Sequence, residues 1–252
     1  MSYFYVWKWT HWKQWLTIIL IAFFTASLLW VSQNKASPVS SSKETSVLAK
    51  GSSDEPHVAL TFNISWGEEK VHDILKQLED HQAQATFFLS GEWAEKHPDI
   101  VQKISEDKHD IGMLGYRYKS YLDQDIDQVR EDLFHAQEVF EKLGFEDMKL
   151  LRTPSGHFNE EVIELTEQLG FQTIHWNVNP NDWENPGTQN IIDIVMQQTD
   201  NGDIVLLHAS DAVKQTAGAL DTILPALSNK GFEFITVTEM VNQASSESKL
   251  VE

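Results

Sequence analysis

The sequence predicts an α/β domain: a parallel sheet covered by helices, either open or closed into a barrel. From His57 onward, short β-like apolar runs alternate with helix-like runs, roughly seven times over. The polar residues with usable chemistry fall at the carboxyl ends of the strand-like runs, where such folds place their sites. A chain of 252 residues suits one such domain plus an appendage.

Taken in order, residues 1–31 read as a cytoplasmic stub and a transmembrane signal-anchor. Residues 15–31 contain no charged side chain, Lys8 and Lys13 precede them, and Trp7, Trp9, Trp12, Trp15 and Trp30 flank them as interfacial aromatics do. This places the domain on the exported side of the cell membrane, or secreted if the segment is a cleaved signal peptide. Residues 32–56 are rich in Ser and Lys, with Pro38, Gly51 and Pro56 as breakers, and read as a flexible linker. Residues 57–242 form the domain and 243–252 a disordered tail.

Within the domain, strands are expected at 58–62, 85–89, 110–114, 149–152, 172–178, 204–207 and 232–237. Helices are expected between them. Val71, Ile74, Leu75 and Leu78 stand at helical spacing, and Pro98 opens the next helix from its first turn. Residues 123–143 form a long amphipathic helix stopped by Gly144, and 160–169 a helix stopped by Gly170. Further helices cover 189–198 and 212–227.

Composition excludes several classes. With no Cys there is no disulfide framework, thiolate zinc site or Cys nucleophile. The net charge is −19, and residues 1–50 carry five Lys against Glu44, so the remainder carries −23. So acidic a domain repels nucleic acid, which is not an expected partner. The loop after the first strand is not a Gly-rich turn, which argues against a dinucleotide site.

The strand ends bring forward Asn63 and Ser65, the 112–118 loop, Arg152 with Pro154, the 177–183 loop, and His208 with Asp211. His157 and His175 show no spacing with a carboxylate that signals a new metal site. Ser65, His208 and Asp182 form a conceivable nucleophile relay, but Ser65 lacks the Gly-x-Ser-x-Gly context.

Five motifs in order carry a resemblance. The stretch Thr61-Phe62-Asn63-Ile64-Ser65-Trp66-Gly67 resembles the opening Thr-Phe-Asp-Asp-Gly of the polysaccharide deacetylase (NodB-homology) family. His109-Asp110-Ile111-Gly112-Met113-Leu114-Gly115-Tyr116-Arg117-Tyr118 matches the second motif, with Leu114 and Tyr118 at its two metal-binding His positions. Arg152-Thr153-Pro154-Ser155-Gly156 matches the third, with Asn159 also in register. Asn179-Pro180-Asn181-Asp182-Trp183 matches the fourth, and Leu206-Leu207-His208 the fifth. The anchor and the variant motifs are most similar to the PdaB-type sporulation deacetylases of endospore-forming bacteria.

The resemblance implies a (β/α) barrel of about seven units that acts on carbon–nitrogen, non-peptide bonds of N-acetylated cell-wall glycan, peptidoglycan or chitin-like, during spore cortex or envelope formation. It makes His208 the catalytic acid, Arg152 the group that orients the base, and Asn63 the occupant of the base position. It has Asp182 and Trp183 support the groove, Leu206 line the acetyl pocket, and Pro154, Asn179 and Tyr118 help bind substrate. The family metal positions are Ile64, Leu114 and Tyr118. The first two have no ligating atom and a neutral Tyr is a poor zinc ligand, so the residues do not support zinc or another divalent cofactor. Asn63 cannot take a proton either. The residue chemistry therefore points to loss of metal-dependent deacetylation. The alternative is a catalytically inactive, membrane-tethered glycan-binding or scaffold protein, with Trp66, Trp176, Trp183, Tyr116 and Tyr118 stacking on sugars. A third reading, a two-carboxylate glycoside hydrolase, rests on Asp182 and, more weakly, Asp211.

Overall fold

The computed structural model describes Leu16 and residues 47–250. All of these but Leu16 fall in the compact unit Thr45–Glu252. The expected stub, membrane segment and linker up to residue 46 lie outside the described residues, Leu16 apart. Among the described residues no helix is long and apolar enough to cross a membrane.

Eight strands form one parallel sheet. Its longest strand is β2 (His57–Ile64), which follows the short β1 (Val47–Leu48). Then come β3 (Thr86–Leu89), β4 (Asp110–Met113), β5 (Leu150–Leu151), β6 (Gln172–Ile174), β7 (Asp203–His208) and β8 (Glu233–Phe234). The order across the sheet is β1-β6-β5-β4-β3-β2-β7, with β8 paired to the start of β2. The two ends of that order meet through single residues. Val178 bridges Val205 of β7 in parallel, and Lys50 bridges Asp203 antiparallel. The sheet is thus a barrel whose seam is joined by isolated bridges, in agreement with the (β/α) expectation.

β2 is buried at seven of its eight positions because a parallel strand in such a fold is covered on both faces. Val58, Leu60, Phe62 and Ile64 face outward into the layer beneath the helices. Ala59 faces inward with Phe88, Leu114, Leu150, Ile174 and Ile204. The period of two places Thr61 and Asn63 on that same inner face.

The helices are α1 (Lys70–Asp80), α2 (Gly91–Lys96), α3 (Pro98–Glu106), α4 (Ile126–Lys142), α5 (Glu160–Gln168), α6 (Thr188–Gln198), α7 (Thr216–Asn229) and α8 (Val237–Leu250). α1 buries Val71, Ile74, Leu75 and Leu78, the four residues set at helical spacing. α4 opens with a capping box between Asp125 and Gln128. Asn159, noted above for its motif register, caps α5 by accepting the Val162 N–H at 2.9 Å.

Four boundaries differ from the sequence reading. The domain begins before residue 57: Val47 and Leu48 pair with Thr173 and Ile174, and the Gly51 N–H donates to Gly202 O, so the end of the expected linker is part of the sheet. β6 stops at Ile174 rather than continuing to 178, because His175 and Trp176 stack on each other while Val178 crosses to β7. α7 starts at Thr216 rather than 212, since Asn185 holds Ala212 O and the Lys214 N–H in a turn. The expected disordered tail is instead helical backbone as far as Leu250. Val237 and Met240, buried inside the barrel, anchor the start of that helix. α2 had no counterpart in the sequence reading. It is only six residues long and opens on Gly91, so it carries too little periodicity to be recognised.

Candidate functional site

The carboxyl ends of the strands surround a cavity of about 760 Å³. Asn63, Tyr118, Asn179, Trp183, Leu206 and His208 all line it, as do Ser65, Trp66, His157 and Trp176. Residues from five separate sequence motifs therefore meet in one place. Pro154 does not line the cavity. It is buried at the start of a short turn, and Ser155 behind it reaches the surface of the cavity instead.

The deepest polar feature is Arg152, which has no exposed surface. Its guanidinium lies 4.1 Å from the Phe88 ring centroid and 5.3 Å from that of Trp176. Nη1 donates to Thr61 Oγ1 and Asn63 Oδ1, both at 2.9 Å, Nη2 donates to His175 O at 3.1 Å, and Nε to Ile174 O at 3.3 Å. Burial pushes the Arg152 pKa down to about 9, partly offset by Tyr118, so it remains a cation at neutral pH. Asn63 is held between this cation and the cavity with 4% of its surface exposed.

Beside it, His208 Nδ1 is 2.7 Å from Asp182 Oδ1. Asp182 is fully buried. Its Oδ2 accepts the His208 backbone N–H at 2.8 Å and the Thr216 hydroxyl at 2.7 Å. The carboxylate thus fixes the ring, leaving Nε2 as the histidine's free nitrogen. Asp182 acts through His208 and does not line the cavity. Asn179 shapes the preceding loop, its Oδ1 accepting the Asn181 N–H at 2.9 Å while Asn181 adopts a left-handed conformation, φ 51°.

Around the mouth, Trp66 and Trp183 are 63% and 54% exposed and Tyr118 is 44% exposed. Large aromatic faces left open at the mouth of a cavity with polar groups in its floor are suited to stacking on sugar rings. Trp176 is more enclosed, stacked 3.9 Å from His175, with Gly156 against it. A Cβ on Gly156 would fall 2.3 Å from the Trp176 ring, and its φ of +69° also disfavours a side chain. Tyr116 turns away from the cavity to stack on His135 at 3.7 Å.

The three positions that the resemblance assigns to a metal do not form one site. Ile64 is fully buried in the layer beneath the helices, on the opposite face of β2 from Asn63. Leu114 is fully buried inside the barrel, and Tyr118 is exposed at the mouth. Two hydrocarbon side chains and one phenol offer no suitable donor set, so these residues do not fit a divalent ion. Among the described residues no group of three or more His, Asp or Glu is placed to hold a metal.

Several other candidates have structural duties. Asp211 does not face the cavity as a free acid. It accepts the N–H groups of Glu68, Glu69 and Lys70 at 3.0, 2.9 and 2.9 Å, capping α1. His157 Nδ1 lies 3.3 Å from Ser120 Oγ, and burial holds the half-buried His175 below the usual imidazole range. Ser65 lines the cavity, and no hydrogen bond joins it to His208 among the described residues. Thr216 and Asp132 were not singled out in the sequence. Asp132 accepts from the Tyr116 and Arg117 N–H groups and from the Tyr121 hydroxyl, setting the loop that carries Tyr118. No motif signals such a long-range acceptor, and its place within α4 gives no hint either.

A family model described as polysaccharide deacetylase matches residues 50–174. The uncharacterized protein YlxY of Bacillus subtilis is 31% identical over 212 residues, covering 84% of this chain and 66% of YlxY, just under two thirds. A peptidoglycan-N-acetylglucosamine deacetylase of Bacillus cereus is 31% identical over 191 residues, 75% of this chain and 89% of that protein. Among solved structures, the Bc1960 peptidoglycan N-acetylglucosamine deacetylase superposes with a TM-score of 0.74 at 30% identity, over 77% of this chain and 92% of that one. BA3943 of Bacillus anthracis, described as a CE4 family pseudoenzyme, gives 0.73 at 28% identity, over 78% and 69%.

Proposed function

The chain belongs to the polysaccharide deacetylase family, and we propose that it binds N-acetylated cell-wall glycan in the strand-end cavity without metal-dependent deacetylation. The observation that carries this reading is the contrast within one site. The cavity keeps its exposed Trp66, Trp183 and Tyr118 and its polar floor, while the metal positions hold Ile64, Leu114 and Tyr118. Without a metal and a carboxylate base, several kcal/mol of transition-state stabilisation are missing, and each ~1.36 kcal/mol is tenfold in rate. The likeness to BA3943, described as a pseudoenzyme, is in keeping with it. The proposal extends to the setting: the chain is held at the membrane by residues 15–31 and serves spore cortex or envelope assembly.

One observation favours residual hydrolysis of the carbon–nitrogen bond: His208 retains Asp182 as its buried partner, the arrangement a proton donor needs. The two-carboxylate glycosidase reading has lost its second acid, because Asp211 is committed to α1. The test uses the full chain with N-acetylated peptidoglycan and chitin oligomers. Acetate release is followed with added zinc or cobalt, beside binding by calorimetry and beside His208→Ala. Binding without acetate release is the expected result. Metal-stimulated release that disappears in His208→Ala would establish the enzyme and overturn the proposal.

A further inference from the structure

Resting on the glycan-binding reading above, we propose that Asn63 and Arg152 form an acceptor-selective subsite that takes a carboxylate group of the bound glycan. Arg152 can only donate hydrogen bonds, so its contact at 2.9 Å fixes the Asn63 amide with Oδ1 toward the guanidinium and Nδ2 away from it. Nδ2 makes no hydrogen bond among the described residues, and Asn63 lines the cavity although 96% of its surface is covered. The amide NH₂ of an otherwise covered residue thus opens into the cavity with a guanidinium behind it.

The charge behind that amide is not balanced. All four acceptors of Arg152 are neutral: a hydroxyl, a side-chain amide and two backbone carbonyls. The nearby buried carboxylate, Asp182, is engaged by His208 and Thr216, and Asp182 forms no ion pair with Arg152. A buried cation without a counter-ion costs free energy, and an anionic acceptor that takes the open Asn63 amide relieves that cost. A carboxylate matches the single positive charge. A phosphate dianion would add a second negative charge inside a domain that already carries a large excess of them. The Tyr118 phenol lines the same cavity and supplies another donor for such a group. Asn63 has the shape of an aspartate with the opposite hydrogen-bonding sense, so this floor selects what an aspartate there would repel.

The full chain is titrated calorimetrically with three probes: an N-acetylglucosamine–N-acetylmuramic acid oligomer, the methyl ester of that oligomer, and sodium acetate. The same titrations are run on Asn63→Asp. This variant places a carboxylate against Arg152 and retains the fold. The expected result is at least tenfold tighter binding of the acid than of the ester by the natural chain, falling to within about twofold in the variant. Equal binding of acid and ester by the natural chain, or a preference that persists in Asn63→Asp, overturns the subsite and leaves the glycan reading standing. Acetate binding that is lost in the variant, with neither oligomer bound, supports the subsite and overturns the glycan reading. No binding of any probe overturns both.

Discussion

Replacing Asp211 separates a structural carboxylate from a catalytic one. Its Oδ1 accepts the N–H groups of Glu69 and Lys70 at 2.9 Å, and its Oδ2 accepts that of Glu68 at 3.0 Å. These donors open α1 (Lys70–Asp80), and the carboxylate also complements the positive end of the helix. Losing a side-chain cap costs about 1–2 kcal/mol, and losing the negative charge there about 0.5–1 kcal/mol. Asp211→Ala is therefore expected to destabilise the domain by about 1.5–3 kcal/mol. For a domain of this size that is a fall in Tm of roughly 3–12 °C. Asp211→Asn keeps an oxygen for Glu69 and Lys70, loses the bond to Glu68 and the charge, and should fall by less than half as much. The same carboxyl packs on Gly67, where a Cβ would lie 2.3 Å from Asp211 Cγ, so the loop carrying Trp66 should loosen and glycan affinity should drop with stability. Thermal unfolding by circular dichroism at neutral pH, beside calorimetric glycan titration, provides both readouts. An unchanged Tm in Asp211→Ala, or equal losses in the Ala and Asn variants, would refute the capping argument. Chain cleavage by the natural protein that disappears in a fully stable Asp211 variant would identify a catalytic acid instead.

Three other outcomes are expected. His109 is buried 5.4 Å from the Phe87 ring with no partner for Nδ1 among the described residues, and burial pushes its pKa down to about 4. The unfolded chain then binds the proton first, so stability is full above about pH 6.5 and is lost as pH falls toward 4, by about 2 kcal/mol at pH 5. Urea midpoints at pH 7.5 and 5.0 should show this, and His109→Phe should flatten the difference. Asp182→Ala leaves the His208 N–H groups and the Thr216 hydroxyl without their acceptor, and should cost about 2–4 kcal/mol in urea unfolding, against about 1 kcal/mol for Thr216→Val. Trp66→Ala and Trp183→Ala, at exposed positions, should leave Tm within about 2 °C of the natural chain while each weakens glycan binding about fivefold, or ~1 kcal/mol. A large loss of Tm would show that these rings support the fold.

By itself the sequence determined the α/β class, most strands and helices, and the residues that meet at the strand ends. The reasons are local. Buried parallel strands such as β2 read as unbroken apolar runs, helices such as α1 repeat their apolar residues every three or four positions, and Gly144 and Gly170 mark where helices end. The replacements at Asn63, Ile64, Leu114 and Tyr118 were equally legible, because a side chain's donor chemistry does not depend on its neighbours. Only the tertiary structure decided how those groups are used. It closed the sheet through Val178 and Lys50, committed Asp211 to α1, and set Asp182 behind His208. It also left the Arg152 cation among neutral acceptors. Each of these depends on partners 22 to 153 positions away in the chain, such as Arg152 with Ile174 and Lys50 with Asp203, and periodicity carries no record of such pairings.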